Sequence, residues 1–144
     1  MAESSAFQGS CHCGAIKATL FSTKPARELQ VRSCQCSFCT RHGAMSVTDP
    51  AGKVTLEIAR QDLQRYQFAT NSGTTLLCAT CGTYAGMILE DDGKTWSVIN
   101  VRGLAIPEFR ERTPDPVVYD GETPEQRVAR RKQRWTPTDL KFIG

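Results

Sequence analysis

Cys78-Ala79-Thr80-Cys81-Gly82 holds two cysteines separated by two residues, with a glycine behind them. A tight turn of this kind brings both thiolates to one metal ion, and the glycine relieves backbone crowding where the chain leaves the turn. A shorter version stands near the start as Cys11-His12-Cys13-Gly14. A zinc tetrahedron needs four ligands, and these two pairs supply four sulfurs from distant parts of the chain. Joining Cys11 and Cys13 to Cys78 and Cys81 staples the first strand to a later sheet. Metal-binding free energy then becomes folding free energy, because the unfolded chain has no preformed site.

The remaining cysteines lie together in Cys34-Gln35-Cys36-Ser37-Phe38-Cys39, and the three clusters account for all seven. Three thiolates on one loop provide three zinc ligands and leave the fourth position open. An open position separates catalytic from structural zinc, since water or a substrate atom can occupy it. Two alternatives stand beside that reading: closure of the site by His12 or His42, and three ordinary reduced cysteines. His12 falls between two ligands, where successive side chains point to opposite sides, so it is expected to face away from the first metal.

The rest of the sequence is consistent with a metal role. At 144 residues the chain fits one domain, and 40% apolar with 23% charged residues is ordinary for a soluble globular protein. Met1 to Ser10 lacks a basic patch followed by an apolar run, and no apolar stretch is long enough to span a membrane. A cytoplasmic location is therefore expected. There, seven cysteines are unlike a disulfide framework, because thiols are kept reduced and an odd count leaves one unpaired. The formal charge of +3 falls to zero once all seven cysteines are thiolates and two Zn²⁺ are bound, so net charge gives nucleic-acid binding no support.

Turn sequences at Asp49-Pro50-Ala51-Gly52, Asn71-Ser72-Gly73 and Asp91-Asp92-Gly93 separate short apolar or alternating runs. Strands are predicted at Ala15 to Phe21, Gln30 to Cys34, Met45 to Thr48, Val54 to Ile58, Thr75 to Cys78, Tyr84 to Leu89 and Thr95 to Val101. Val54, Leu56 and Ile58, and with less regularity Trp96, Val98 and Asn100, are expected to point into a core from one face. One helix is predicted after Thr123-Pro124-Glu125-Gln126, where a capping hydroxyl, a first-turn proline and a glutamine at the third position form a capping box. Arg127, Arg130, Arg131, Lys132 and Arg134 make that helix basic. A solvated face is the ordinary reading of such a run, with contact to an acidic partner or nucleic acid as the alternative.

The order and spacing of the three cysteine clusters resemble the glutathione-dependent formaldehyde-activating enzyme family over about residues 9 to 104. That resemblance implies an all-β fold of the Mss4-like type, made of several small antiparallel sheets with a short C-terminal helix. It implies a single domain across residues 1 to 144 whose part from 105 onward diverges. It also implies two zinc ions per chain, a structural one on Cys11, Cys13, Cys78 and Cys81 and a second on Cys34, Cys36 and Cys39. The activity it implies is addition of glutathione to formaldehyde, a carbon–sulfur lyase reaction in reverse. The sequence departs from the family pattern at Gln35, at Thr83-Tyr84-Ala85-Gly86, and after Gly103, where Arg110-Glu111-Arg112 and Thr113-Pro114-Asp115-Pro116 follow.

The leading expectation is a zinc-dependent enzyme acting on a small molecule, with a thiol such as glutathione adding to an aldehyde or the reverse. His42 and Arg41, just after the three-cysteine cluster, are the candidate proton shuttle and anion clamp, and Tyr84 is a further candidate acid. Hydrolysis or cyclisation of an imine or related adduct is the second enzymatic reading. The non-enzymatic alternative is a zinc-stapled interaction module using the basic helix. Methionine sulfoxide reduction needs a free nucleophilic cysteine, which the division into four and three does not leave. The oligomeric state is open.

Overall fold

The computed structural model describes residues 5–68 and 73–143. Strands dominate, as expected. They are β1 (Ser5–Ser10), β2 (Ile16–Ser22), β3 (Arg32–Cys34), β4 (Ser46–Val47), β5 (Lys53–Ala59), β6 (Leu63–Tyr66), β7 (Thr74–Cys78), β8 (Tyr84–Asp91), β9 (Lys94–Asn100), β10 (Asp115–Val117) and β11 (Thr136–Ile143). Two helices join them, α1 (Ser37–His42) and α2 (Pro124–Arg134). All seven strands predicted from sequence are present, with ends shifted by one or two residues.

The strands form one connected mixed sheet rather than several small antiparallel ones. Most neighbours are antiparallel, but β11 runs parallel to β5 and β10 parallel to β3. Both parallel pairs bring a strand from the C-terminal part back onto an early strand, which the sequence reading left without structure. The hairpin joining β8 to β9 turns on Asp92 and Gly93, at φ 53° and 74°. Asp91 pairs with Lys94, so the loop has two residues, both left-handed, and the backbone twist matches that of the strands. At the turn before β5, the Gly52 amide donates to the Asp49 carbonyl at 2.9 Å and the Ala51 amide to Asp49 Oδ1 at 3.1 Å. The third predicted turn, Asn71-Ser72-Gly73, lies outside the described residues except for Gly73.

The main core gathers Ile16, Ala18 and Leu20 from β2, Val54, Leu56 and Ile58 from β5, and Ile99, Leu104, Ile106 and Phe109. β5 alternates as predicted, with Val54, Leu56 and Ile58 buried. β9 does not, because Ser97, Val98, Ile99 and Asn100 are all buried. A second cluster explains this: Val98 and Trp96 pack with Met87, Leu89, Trp135 and Val128, so α2 and its end cover the reverse side of β8 and β9. The capping box at Thr123 forms as predicted, with Gln126 N–H donating to Thr123 Oγ1 at 3.1 Å and Thr123 N–H to Gln126 Oε1 at 2.9 Å. Among the described residues, no helix is long and apolar enough to cross a membrane.

Candidate metal centre and active site

The first thiol group sits where two turns meet. Cys11 and Cys13 occupy the connection from β1 to β2, Cys78 ends β7, and Cys81 lies in the connection from β7 to β8. In each turn a glycine amide donates back to the first cysteine carbonyl, Gly14 to Cys11 at 3.1 Å and Gly82 to Cys78 at 2.8 Å. Both glycines are left-handed, at φ 87° and 80°, although the first turn closes over three residues and the second over four. All four sulfurs lie within 4.8 Å of one another. Cys11 Sγ to Cys13 Sγ is 3.8 Å and Cys13 Sγ to Cys78 Sγ is 3.5 Å. A tetrahedron with zinc–sulfur bonds of about 2.3 Å has sulfur–sulfur edges of about 3.8 Å, so the residues fit the ion. Backbone amides point at the sulfurs, Ile16 N–H to Cys11 Sγ at 3.3 Å and Cys81 N–H to Cys78 Sγ at 3.5 Å.

The second group is built by a strand running into a short helix. Cys34 ends β3, Cys36 caps the N-terminus of α1 through its sulfur, and Cys39 lies within that helix. The Cys39 amide donates to Cys36 Sγ at 3.3 Å. Gly43 ends the helix in the left-handed conformation, so the turn of helix is closed at both ends. β10 holds the approach, since Val117 pairs with Cys34 and the Gln35 amide donates to the Val117 carbonyl at 3.0 Å. The three sulfurs lie within 4.8 Å of one another, and neither His12 nor His42 places a ring nitrogen in the group. His12 is exposed.

Crowding of the sulfurs shows in their titration. The Cys34 thiol is pulled down to about 5, chiefly because Cys39 hydrogen-bonds to it, and Cys39 is pushed far up by the same contact. In the first group the Thr83 hydroxyl and backbone lower Cys81 to about 5, while burial drives Cys78 up to about 12. In the second group the sulfurs ionise at one another's expense, and a soft divalent cation is the partner that lets all of them ionise together. Both groups therefore have the donor chemistry of zinc sites.

All three cysteines of the second group line a cavity of about 240 Å³. Its other walls include Tyr84 and Met87 from β8, Tyr119, Trp135, and four arginines, Arg32 from β3 and Arg127, Arg130 and Arg131 from α2. Asn100 fixes the Tyr84 backbone: its Nδ2 donates to the Tyr84 carbonyl at 2.8 Å while its Oδ1 accepts from the Met45 amide at 3.0 Å. Burial, reinforced by the negative sulfurs, raises the Tyr84 phenol well above 10. Near neutrality it is a hydrogen-bond donor.

Of the three candidate catalytic side chains, Tyr84 lines the cavity, whereas His42 and Arg41 do not. His42 is exposed and packs its ring against Phe38 at 4.5 Å and Tyr84 at 5.6 Å. Arg41 is exposed and folds back along its own helix, Nη1 donating to the Ser37 carbonyl at 3.0 Å. The cations of the cavity come instead from Arg32 of β3 and, for the other three, from the basic helix. Arg127, Arg130 and Arg131 stand at i, i+3 and i+4, one helix face, and that spacing was the available signal for them. Lys132 pairs with Asp91 on the exposed side.

Fold and thiols together define a class: a small all-β protein with two sulfur-only groups that could hold a metal ion, one of them at a cavity. The family model described as glutathione-dependent formaldehyde-activating enzyme matches residues 6–119, and the chain belongs to that family. The match runs past Gly103 through Arg110 to Pro116 and ends before α2. A crystal structure of a Rhodobacter sphaeroides protein is also similar, at 27% identity and TM-score 0.53 over 78% of this chain and 99% of that one.

Proposed function

We propose that the three-cysteine group and its cavity form the active site of a carbon–sulfur lyase that catalyses reversible addition of a small thiol such as glutathione to an aldehyde. The observation that carries this reading is that all three cysteines line one cavity together with Tyr84 and the arginines of α2. The family description adds glutathione and formaldehyde as the reactants to test first. In the forward direction the thiol sulfur bonds to the carbonyl carbon, the carbon–oxygen π bond opens, and the thiol proton ends on the new hydroxyl.

Zinc bound by Cys34, Cys36 and Cys39 supplies a coordination position for a thiolate or carbonyl oxygen. The chain's own residues do the rest. Tyr84 offers a phenolic hydrogen bond toward the oxygen that gains charge during addition. Met87 and Trp135 exclude water from one side of the reactants. His42 steadies the Tyr84 ring from outside, and Arg41, held to the Ser37 carbonyl, stays outside the cavity. Cys11, Cys13, Cys78 and Cys81 lie outside the cavity, and zinc held by them would tie the two turns together. A reducing cytoplasm suits this assignment, since both groups need free thiols to load metal.

Exchange NMR with ¹³C-formaldehyde and glutathione tests it. The zinc-loaded protein is expected to raise the interconversion rate of free and thiol-bound formaldehyde, and Cys36→Ser to abolish the increase. An uncatalysed rate with the fully loaded wild-type protein would sink the proposal.

A further inference from the structure

Three of the four cavity arginines have partners. Arg127 donates from Nε to Glu122 Oε1 at 3.3 Å and from Nη2 to the Tyr119 carbonyl at 3.1 Å. Arg130 donates to both Glu122 oxygens, at 2.8 and 3.1 Å, and lies over the Tyr119 ring at 3.7 Å. Arg32 donates from Nη2 to Thr48 Oγ1 at 2.6 Å. Arg131 differs: it is only 9% exposed, and among the described residues it forms no ion pair and its buried Nε has no hydrogen-bond partner. Its guanidinium lies over the Trp135 ring at 4.6 Å, and among the described residues no acceptor meets its buried Nε. Gly73 clears the space beside it, since a Cβ there would come within 2.8 Å of Nη1.

A buried guanidinium without an anion is costly, and its geometry matches a carboxylate in a bidentate pair. Arg130 and Arg127, not carboxylates, are its main charged neighbours, and burial together with them lowers it to about 10, so it stays charged near neutrality. Glu122, engaged by Arg127 and Arg130, does not line the cavity, and Asp120 is the carboxylate on its wall. The lining thus keeps a surplus of positive charge at Arg131.

We infer that Arg131 forms a carboxylate subsite in the same cavity as the three cysteines, so that the substrate is a small molecule carrying both a reactive thiol or aldehyde and a carboxylate. This rests on the reading of the cavity as a thiol–aldehyde site. α2 lies beyond the family match, so the subsite is built from a segment that the family pattern does not include. The carboxylate belongs either to the thiol, as in glutathione, or to the aldehyde, as in glyoxylate.

Calorimetry on the zinc-loaded protein, with quenching of Trp135 fluorescence as a second readout, distinguishes these. Glutathione is expected to bind roughly tenfold or more tightly than its diethyl ester, which keeps the thiol and masks both carboxylates. Arg131→Met is expected to remove that preference without weakening the ester, and Arg131→Lys to restore part of it. If the carboxylate sits on the aldehyde, glutathione and ester bind alike while glyoxylate loses affinity in Arg131→Met, which also supports the subsite. S-methylglutathione binding as tightly as glutathione, with the same dependence on Arg131, would support the subsite while removing the thiol reading. The subsite is overturned if glutathione and its ester bind alike and glyoxylate is indifferent to Arg131→Met, or if neither glutathione nor glyoxylate binds.

Discussion

Gly82 leaves the second cysteine turn at φ 80°, and nothing lies within 4 Å of where its Cβ would be. Gly82→Ala therefore introduces backbone strain without a clash and is expected to lower stability by about 1 kcal/mol while metal content stays unchanged. Urea unfolding alongside metal analysis checks this, and an alanine variant as stable as the parent would show that the turn relaxes freely. The cysteines were legible in the sequence because ligand chemistry fixes both residue type and spacing, and the glycines because a left-handed turn is hard for other residues. Arg131 was not legible as a site residue. Its side chain becomes distinctive only through what surrounds it, and a run of five basic residues gives no sign of which one ends buried and unpaired. His42 and Arg41 were nominated by nearness in sequence, but a six-residue helix turns the side chains after Cys39 away from the cavity.

α2 was predicted from its capping box, and the box forms; what the sequence left out was the surface that the helix covers. Glu122, just before the cap, binds Arg130 and Arg127 and thereby orients the face that enters the cavity. Arg130 above all lowers the Glu122 carboxyl below its ordinary 4.5. A carboxyl lowered on folding stabilises the protein above that value and loses its contribution as pH falls through its folded-state value. Glu122→Gln is expected to melt at a lower temperature than the parent near neutrality, and the gap should close in acid. A pH series of melting curves measures it, and a gap that stayed constant into acid would show that the ion pairs do not carry the effect. β10 and β11 escaped the sequence reading for related reasons: each contains a proline, and neither is strongly apolar, so their pairing with β3 and β5 is a tertiary choice rather than a local preference.

The two thiol groups divide the labour of the whole molecule. The four-cysteine group brings together two turns whose cysteines Cys13 and Cys78 are 65 residues apart, so a metal bound there would close a long loop and couple to folding. The three-cysteine group is carried on one short strand-to-helix segment and adds little to that closure. Cys78→Ser is accordingly expected to lose cooperative thermal unfolding, whereas Cys36→Ser is expected to stay folded; circular dichroism melting separates them, and equal losses would contradict the division. The most direct test of the three-cysteine group as the reactive centre is the absorption spectrum of the protein loaded with two Co²⁺ ions and titrated with glutathione. The thiolate-to-cobalt and d–d bands should shift saturably, with the shift absent in Cys36→Ser and retained in an aldehyde-free solution. Bands unchanged at saturating glutathione would contradict a thiol-binding metal at Cys34, Cys36 and Cys39.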